Sequence, residues 1–143
     1  MARALSSETL HATSVAIDGR AVLLCGPSGS GKSDLALRLI DRGAVLVSDD
    51  YTLVKRVDGR LLATAPGAIA GKMEVRGIGI VAMPPLAEAP VALLVDLSDR
   101  IERMPQAARR WVAGMEVPLV TLAPLEASAP IKVELALSSV GLP

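Results

Sequence analysis

The chain has 143 residues, 51% of them hydrophobic and 21% charged, which is enough apolar material for one domain with a real core and too much for a disordered segment. Fifteen acidic residues balance fifteen basic ones, and the only aromatic residues are Tyr51 and Trp111, so neither a global basic field nor a stacking surface points to nucleic acid. No apolar run approaches the roughly 18 residues of a membrane span.

The first residues, Met1 to Glu8, hold no apolar stretch of the leader type, so no signal peptide is expected. The single cysteine, Cys25, cannot form an internal disulfide, which fits a reducing cytoplasm. It stands at a predicted strand end and reads as a small buried residue. The lone histidine, His11, precedes a strand over 13–17; Asp18-Gly19 then links that strand to the apolar run Ala21 to Leu24 as a tight hairpin.

That second strand runs into Gly26-Pro27-Ser28-Gly29-Ser30-Gly31-Lys32-Ser33 and then Asp34. A helix is predicted from Lys32 to Asp41, with Leu35, Ala36, Leu39 and Ile40 on one face and Gly43 closing it. Strand, glycine loop and helix, with Lys-Ser at the end of the loop, form the pattern of a phosphate-binding loop. Glycines let backbone N–H groups turn inward onto phosphate oxygens, and the helix N-terminus adds partial positive charge. Lys32 reaches the β and γ phosphates in this reading, and the Ser33 hydroxyl ligates Mg²⁺.

A buried strand over Ala44–Val47 ends in Ser48-Asp49-Asp50. Carboxylates at the end of a buried strand, after a phosphate loop, are where metal or base chemistry is expected. Neighbouring side chains on a strand face opposite ways, so the two aspartates are expected to have different jobs. A second hairpin is predicted at Asp58-Gly59, between 51–57 and 60–64. Met73 to Ile80 reads Met-Glu-Val-Arg-Gly-Ile-Gly-Ile, and Glu74 and Arg76 share a face if it is extended. Near a phosphate, such a pair suits metal and phosphoryl charge. Val91–Val95 is another buried strand, ending in Asp96, a rival carboxylate. Pro105 is expected to open a helix in which Ala108, Trp111, Val112 and Met115 recur at helical spacing, with Trp111 as a packing anchor. Strands are expected at 117–122 and 131–137, and no further helix after them.

Guanine-reading switches use an Asn-Lys-x-Asp segment, and this chain contains no asparagine. A small-molecule kinase using Asp96 and an arginine-rich lid stays open. So does a non-catalytic module that senses ATP.

Four pieces in order resemble the catalytic domain of the HPr kinase/phosphorylase family. They are Leu10-His11-Ala12, the glycine loop followed by Asp34 to Leu37, Arg42 to Asp50, and Met73 to Ile80. The resemblance runs from about Leu10 to Arg103. It implies an α/β phosphate-loop domain of the HPr kinase/PEP carboxykinase-like kind, with a mixed, hairpin-rich sheet and few helices, over residues 1–143. It implies ATP and Mg²⁺ as cofactors and an HPr-type phosphocarrier protein, phosphorylated on serine, as partner. By this resemblance Asp49 is the catalytic base with His11 near it. Asp50 lies near the metal, Ser33 and Glu74 ligate it, and Lys32 and Arg76 neutralise phosphoryl charge. Arg103 is similar to the arginine of a later family segment. The family is hexameric, so a homo-oligomer is a further implication. The family also carries a separate N-terminal domain, C-terminal helices, and an arginine/glycine segment after the late strand. This chain is read as lacking all three, with Ala123-Pro124-Leu125 where that segment is expected; the family's metabolite regulation is not carried over with them, and its reverse phosphorolysis stays open as a second activity.

Overall fold

A computed structural model describes residues 6–143. Residues 1–5, on which part of the signal-peptide expectation rests, lie outside it. The elements in order are β1 (Ser7–Leu10), β2 (Ala12–Ile17), β3 (Arg20–Cys25), α1 (Lys32–Asp41), β4 (Val45–Ser48), β5 (Thr52–Val57), β6 (Arg60–Thr64), β7 (Lys72–Val75), β8 (Gly79–Ala82), β9 (Glu88–Leu97), β10 (Ala108–Val112), β11 (Met115–Leu122) and α2 (Ala129–Val140). No helix among them is long and apolar enough to cross a membrane.

Three two-residue turns build the hairpins β2–β3, β5–β6 and β10–β11. Asp18-Gly19, Asp58-Gly59 and Ala113-Gly114 all hold positive φ at both positions, the twist that matches two antiparallel strands. The larger sheet runs β1-β5-β6-β9-β3-β2-β4, with the β10–β11 hairpin added through β11 to the end of β9. β9 is the strand that joins the halves. Its first residues pair antiparallel with β6, its middle runs parallel to β3, and its last residues run parallel to β11. β7 and β8 form a separate hairpin.

The apolar run of β3 is continuous because both of its faces are covered. Val22 and Leu24 pack with Leu35 and Leu39 of α1 and with Val133 and Leu137 of α2. Leu23 and Cys25 pack on the other side with Val47, Val54, Leu61 and Val117. The turn from β3 into α1 is therefore fixed on two faces, which holds the glycine loop at the edge of a rigid sheet.

Two stretches differ from their sequence expectation. Residues 108–115 form the β10–β11 hairpin rather than a helix. The spacing of Ala108, Trp111, Val112 and Met115 suits a helix, but Ala113 and Gly114 at φ 46° and 84° reverse the chain. Trp111 is no packing anchor: it is 66% exposed on an edge strand. We expect Trp111→Ala to change unfolding free energy by no more than about 0.5 kcal/mol in a denaturant titration, as for other surface substitutions.

Residues 129–140 form a helix where a strand ending at 137 was expected. Ile131 to Leu137 alternates apolar and polar types in a strand-like way, yet the buried positions are Ala129, Val133 and Leu137, four apart on one helical face, with Pro130 beside the first. Ile131 and Leu135 are left exposed, which is why the periodicity misleads. Ser128 at the N-cap and Pro130 in the first turn are the start signals. α2 is tied to α1 by Arg42, whose guanidinium donates to both carboxylate oxygens of Glu134.

Candidate active site

Gly26 to Ser33 leaves the C-terminal end of β3 and turns into α1. Gly31 caps that helix at φ 99°, and Gly29 sits at φ 81°, conformations that L side chains resist. The Ser30 hydroxyl is buried inside the loop with no hydrogen-bond partner. An unsatisfied polar atom there fits a loop built to receive an acceptor such as a phosphate oxygen. Lys32 is 5% exposed, and its ammonium donates to the carbonyls of Gly26 and Pro27 at 2.7 and 3.0 Å.

Ser33 opens the first turn of α1 and donates to Asp49 Oδ1 at 2.6 Å. The same oxygen accepts from Thr13 Oγ1 at 3.1 Å, and Oδ2 accepts from the Glu74 amide at 3.0 Å. Asp49 is 7% exposed, so this carboxylate is buried and held by three donors. A serine hydroxyl and a carboxylate at this separation are the hard oxygen donors that Mg²⁺ takes alongside phosphates. Among the described residues, no group of three or more His, Cys, Asp or Glu side chains forms a metal site of its own.

Asp50 lies in a different environment. β4 ends at Ser48, and the Tyr51 amide donates to the Asp49 carbonyl at 2.7 Å, which closes a tight turn with Asp50 at φ 67°. Aspartate tolerates this left-handed conformation better than most residues. The turn aims the Asp50 carboxylate at His11, whose Nε2 is 2.9 Å from Oδ1. The two side chains are 34% and 57% exposed, so this pair meets solvent where Asp49 does not. The His11 ring also stacks on Tyr51 at 5.0 Å.

His11 was expected beside Asp49 and stands beside Asp50; Asp50 was expected on the metal side, yet the Ser33 hydroxyl engages Asp49. The two aspartates do have different surroundings, but because of the turn, since neither lies on the strand whose alternation suggested it.

Glu74 reaches the site on β7, with its backbone amide on Asp49 and its side chain exposed. Arg76 falls in the turn after β7, so the shared face expected for Glu74 and Arg76 does not form. Arg103 lies exposed in the connection between β9 and β10. Asp96 pairs with Cys25 across β9 and β3, level with the start of the loop, but it is Asp49 that Ser33 engages.

Sequence reasoning missed Thr13 and Tyr51. Thr13 is fully buried, and its hydroxyl also accepts from the Asp50 amide at 3.1 Å, so it holds both aspartates. The polar pair Thr13-Ser14, just after His11 on a strand whose other residues are apolar, was the available signal.

Cys25 is buried behind the loop. Burial pushes its thiol from an ordinary 9.0 up to about 11; Arg110 and Lys32 oppose this, and Asp96 adds to it. A thiol held protonated this way is a poor nucleophile. Because its folded value lies above the unfolded one, its contribution to stability is intact below about 9 and is lost as pH rises towards about 11. We expect denaturant-measured stability to fall across that window, and Cys25→Ala to flatten the fall.

Known proteins are similar to this chain in sequence and in fold. Residues 3–86 match the HPr Serine kinase C-terminal domain family. The HPr kinase/phosphorylase of Clostridium tetani is 45% identical over 83 residues, covering 57% of this chain and 27% of that protein. That of Clostridium novyi is 46% identical over 83 residues, with the same coverage. This chain thus spans about a quarter of the length of the curated relatives it matches. The solved structure of the Hpr(Ser) kinase/phosphatase from Coxiella burnetii superposes with a TM-score of 0.79 at 29% identity, covering 92% of this chain and 88% of that one. The matched segment holds His11, the glycine loop, both aspartates, Glu74 and Arg76, while Arg103 falls beyond it. With the family match extending over more than half of its residues, and with the fold agreeing, the chain belongs to the HPr serine kinase C-terminal domain family.

Proposed function

We propose that this chain is an ATP- and Mg²⁺-dependent protein serine kinase acting on an HPr-type phosphocarrier in the cytoplasm. The observation that carries the reading is the division of labour around the loop: a buried Ser33–Asp49 pair on one side and a solvent-facing Asp50–His11 pair next to it. The names of the relatives and of the structural neighbour support the substrate class.

In this reading Ser33 and Asp49 hold Mg²⁺ beside the phosphates of ATP, and the ion supplies charge neutralisation there. Thr13 and the Glu74 amide keep Asp49 fixed, so its carboxylate needs little reorganisation. Glu74, whose amide sits on that carboxylate, is the second residue we assign to the metal side. Lys32 and the loop amides hold phosphate charge, and Arg76 is the arginine we assign to the transferred group. Asp50 takes the proton of the attacking serine hydroxyl, and His11 orients Asp50 and shares the charge change. The serine oxygen bonds to the γ-phosphorus as the bond to the β-phosphate oxygen breaks, releasing ADP. Positioning and charge stabilisation carry most of the rate, because phosphoryl transfer asks little covalent work of the protein.

The test is incubation with γ-labelled ATP, Mg²⁺ and a purified HPr-type protein, followed by mapping of the label. Stoichiometric label on one serine is the expected result. ATP binding without label on the carrier would leave a nucleotide sensor instead, and label on a small molecule a metabolite kinase.

A further inference from the structure

The glycine loop has a second flank that the phosphate reading does not use. Gly31 and Ser33 stand where β3 turns into α1, with β2 and β4 on one side of β3 in the sheet and β9 and β11 on the other. Ser33 faces Asp49. Gly31 faces the connection from β11 to α2: a Cβ placed there would lie 3.3 Å from Pro124 Cβ and 3.8 Å from Leu125 Cδ2.

This connection is built, not loose. Pro124 is buried against Gly31. Arg38, on α1, donates to the carbonyl of Pro124 and, at 3.1 Å, to that of Glu126. Asp34, in the first turn of α1, holds the same guanidinium from the other side. Leu125 is thereby fixed at the mouth of the loop with 81% of its surface exposed. A scattered surface leucine is ordinary. One clamped between a phosphate loop and an arginine that holds the carbonyls on either side of it is a preorganised apolar face.

We infer that Pro124 and Leu125 form the seat for the nucleoside end of the bound nucleotide. The inference rests on the phosphate-loop reading above. If the reacting phosphate lies at Ser33 and Asp49, the phosphate chain runs across the loop and leaves by the opposite flank. The first side chains met there are Pro124 and Leu125. Arg38 engages the carbonyls of Pro124 and Glu126, so the seat offers apolar contact in place of hydrogen-bond reading of a base edge.

The test compares ATP with inorganic tripolyphosphate, both with Mg²⁺, by titration calorimetry on the whole chain. Leu125→Ser should weaken ATP binding about 5- to 10-fold, the loss expected for one partly covered leucine, and leave tripolyphosphate affinity within about twofold. Arg38→Met, which frees the connection but keeps the Pro124 and Leu125 side chains, should move the ratio of the two affinities in the same direction. An unchanged ATP affinity in Leu125→Ser, or equal weakening of both ligands, overturns the inference. If the wild type fails to bind tripolyphosphate, or Lys32→Ala still binds it, the phosphate-loop reading itself falls and the inference with it. The melting temperature of each variant is measured alongside; Leu125 is exposed, so its replacement should leave that temperature unchanged.

Discussion

Asp50→Asn is expected to lower serine phosphorylation by about 10²- to 10⁴-fold, the range over which a positioned general base contributes, while nucleotide affinity stays within a few-fold. The expectation follows from what each aspartate is free to do. Both Asp49 oxygens accept hydrogen bonds from buried donors, Thr13 and Ser33 on one and the Glu74 amide on the other. A carboxylate so engaged holds a metal or a loop well and receives a proton from a bulky protein substrate badly. Asp50 is exposed, has His11 as its side-chain partner, and sits where a docked serine can approach. Asn at 50 keeps the shape of the turn, since asparagine also accepts a left-handed backbone, and removes the basic oxygen. The contrasting variant is Asp49→Asn, for which Mg²⁺-dependent nucleotide binding should fall together with turnover, and stability should drop because an amide nitrogen replaces an acceptor among three donors. Single-turnover transfer and nucleotide titration separate the two. Near-normal transfer by Asp50→Asn, or lost transfer with intact nucleotide binding in Asp49→Asn, would return the base to Asp49.

Much of this site is legible in the residues because it depends on local rules. A glycine loop after an apolar strand, Asp-Gly between two strand-like runs, and carboxylates after a buried strand are patterns of neighbours, and the structure forms the loop and both Asp-Gly hairpins where the patterns stand. What the residues do not disclose is set by non-local contact. The partner of each aspartate depends on a turn whose geometry is fixed by Thr13, some 36 residues away in sequence from Asp49. The C-terminal third misleads for the opposite reason, because its local signals conflict. Ile131 to Leu137 alternates like a strand, but burial against α1 and β9 selects the helical face through Val133 and Leu137. Ala108 to Met115 is spaced like a helix, but Ala113-Gly114 turns it back and leaves Trp111 in solvent. Tertiary packing overrides propensity where the propensity is divided.

Lys32→Met should raise the dissociation constant for ATP on the order of 100-fold, the loss of two or three charge-assisted hydrogen bonds to phosphate, and abolish measurable transfer. It should also leave the protein as stable as before, or more stable. The lysine is 5% exposed, and its ammonium is held by two carbonyls, with no carboxylate within ion-pair distance among the described residues. Burying a charge on neutral acceptors alone costs folding free energy, and an apolar side chain of similar length removes that cost. A residue placed for the sake of the fold would show the reverse sign on replacement. The pairing of lost affinity with an undiminished melting temperature therefore identifies Lys32 as kept for a ligand, and calorimetry with thermal unfolding on one preparation measures both. A fall in melting temperature with ATP affinity unchanged would mean that the ammonium serves the loop's own carbonyls. The Gly26–Ser33 turn would then be a structural corner between β3 and α1, with no phosphate to hold.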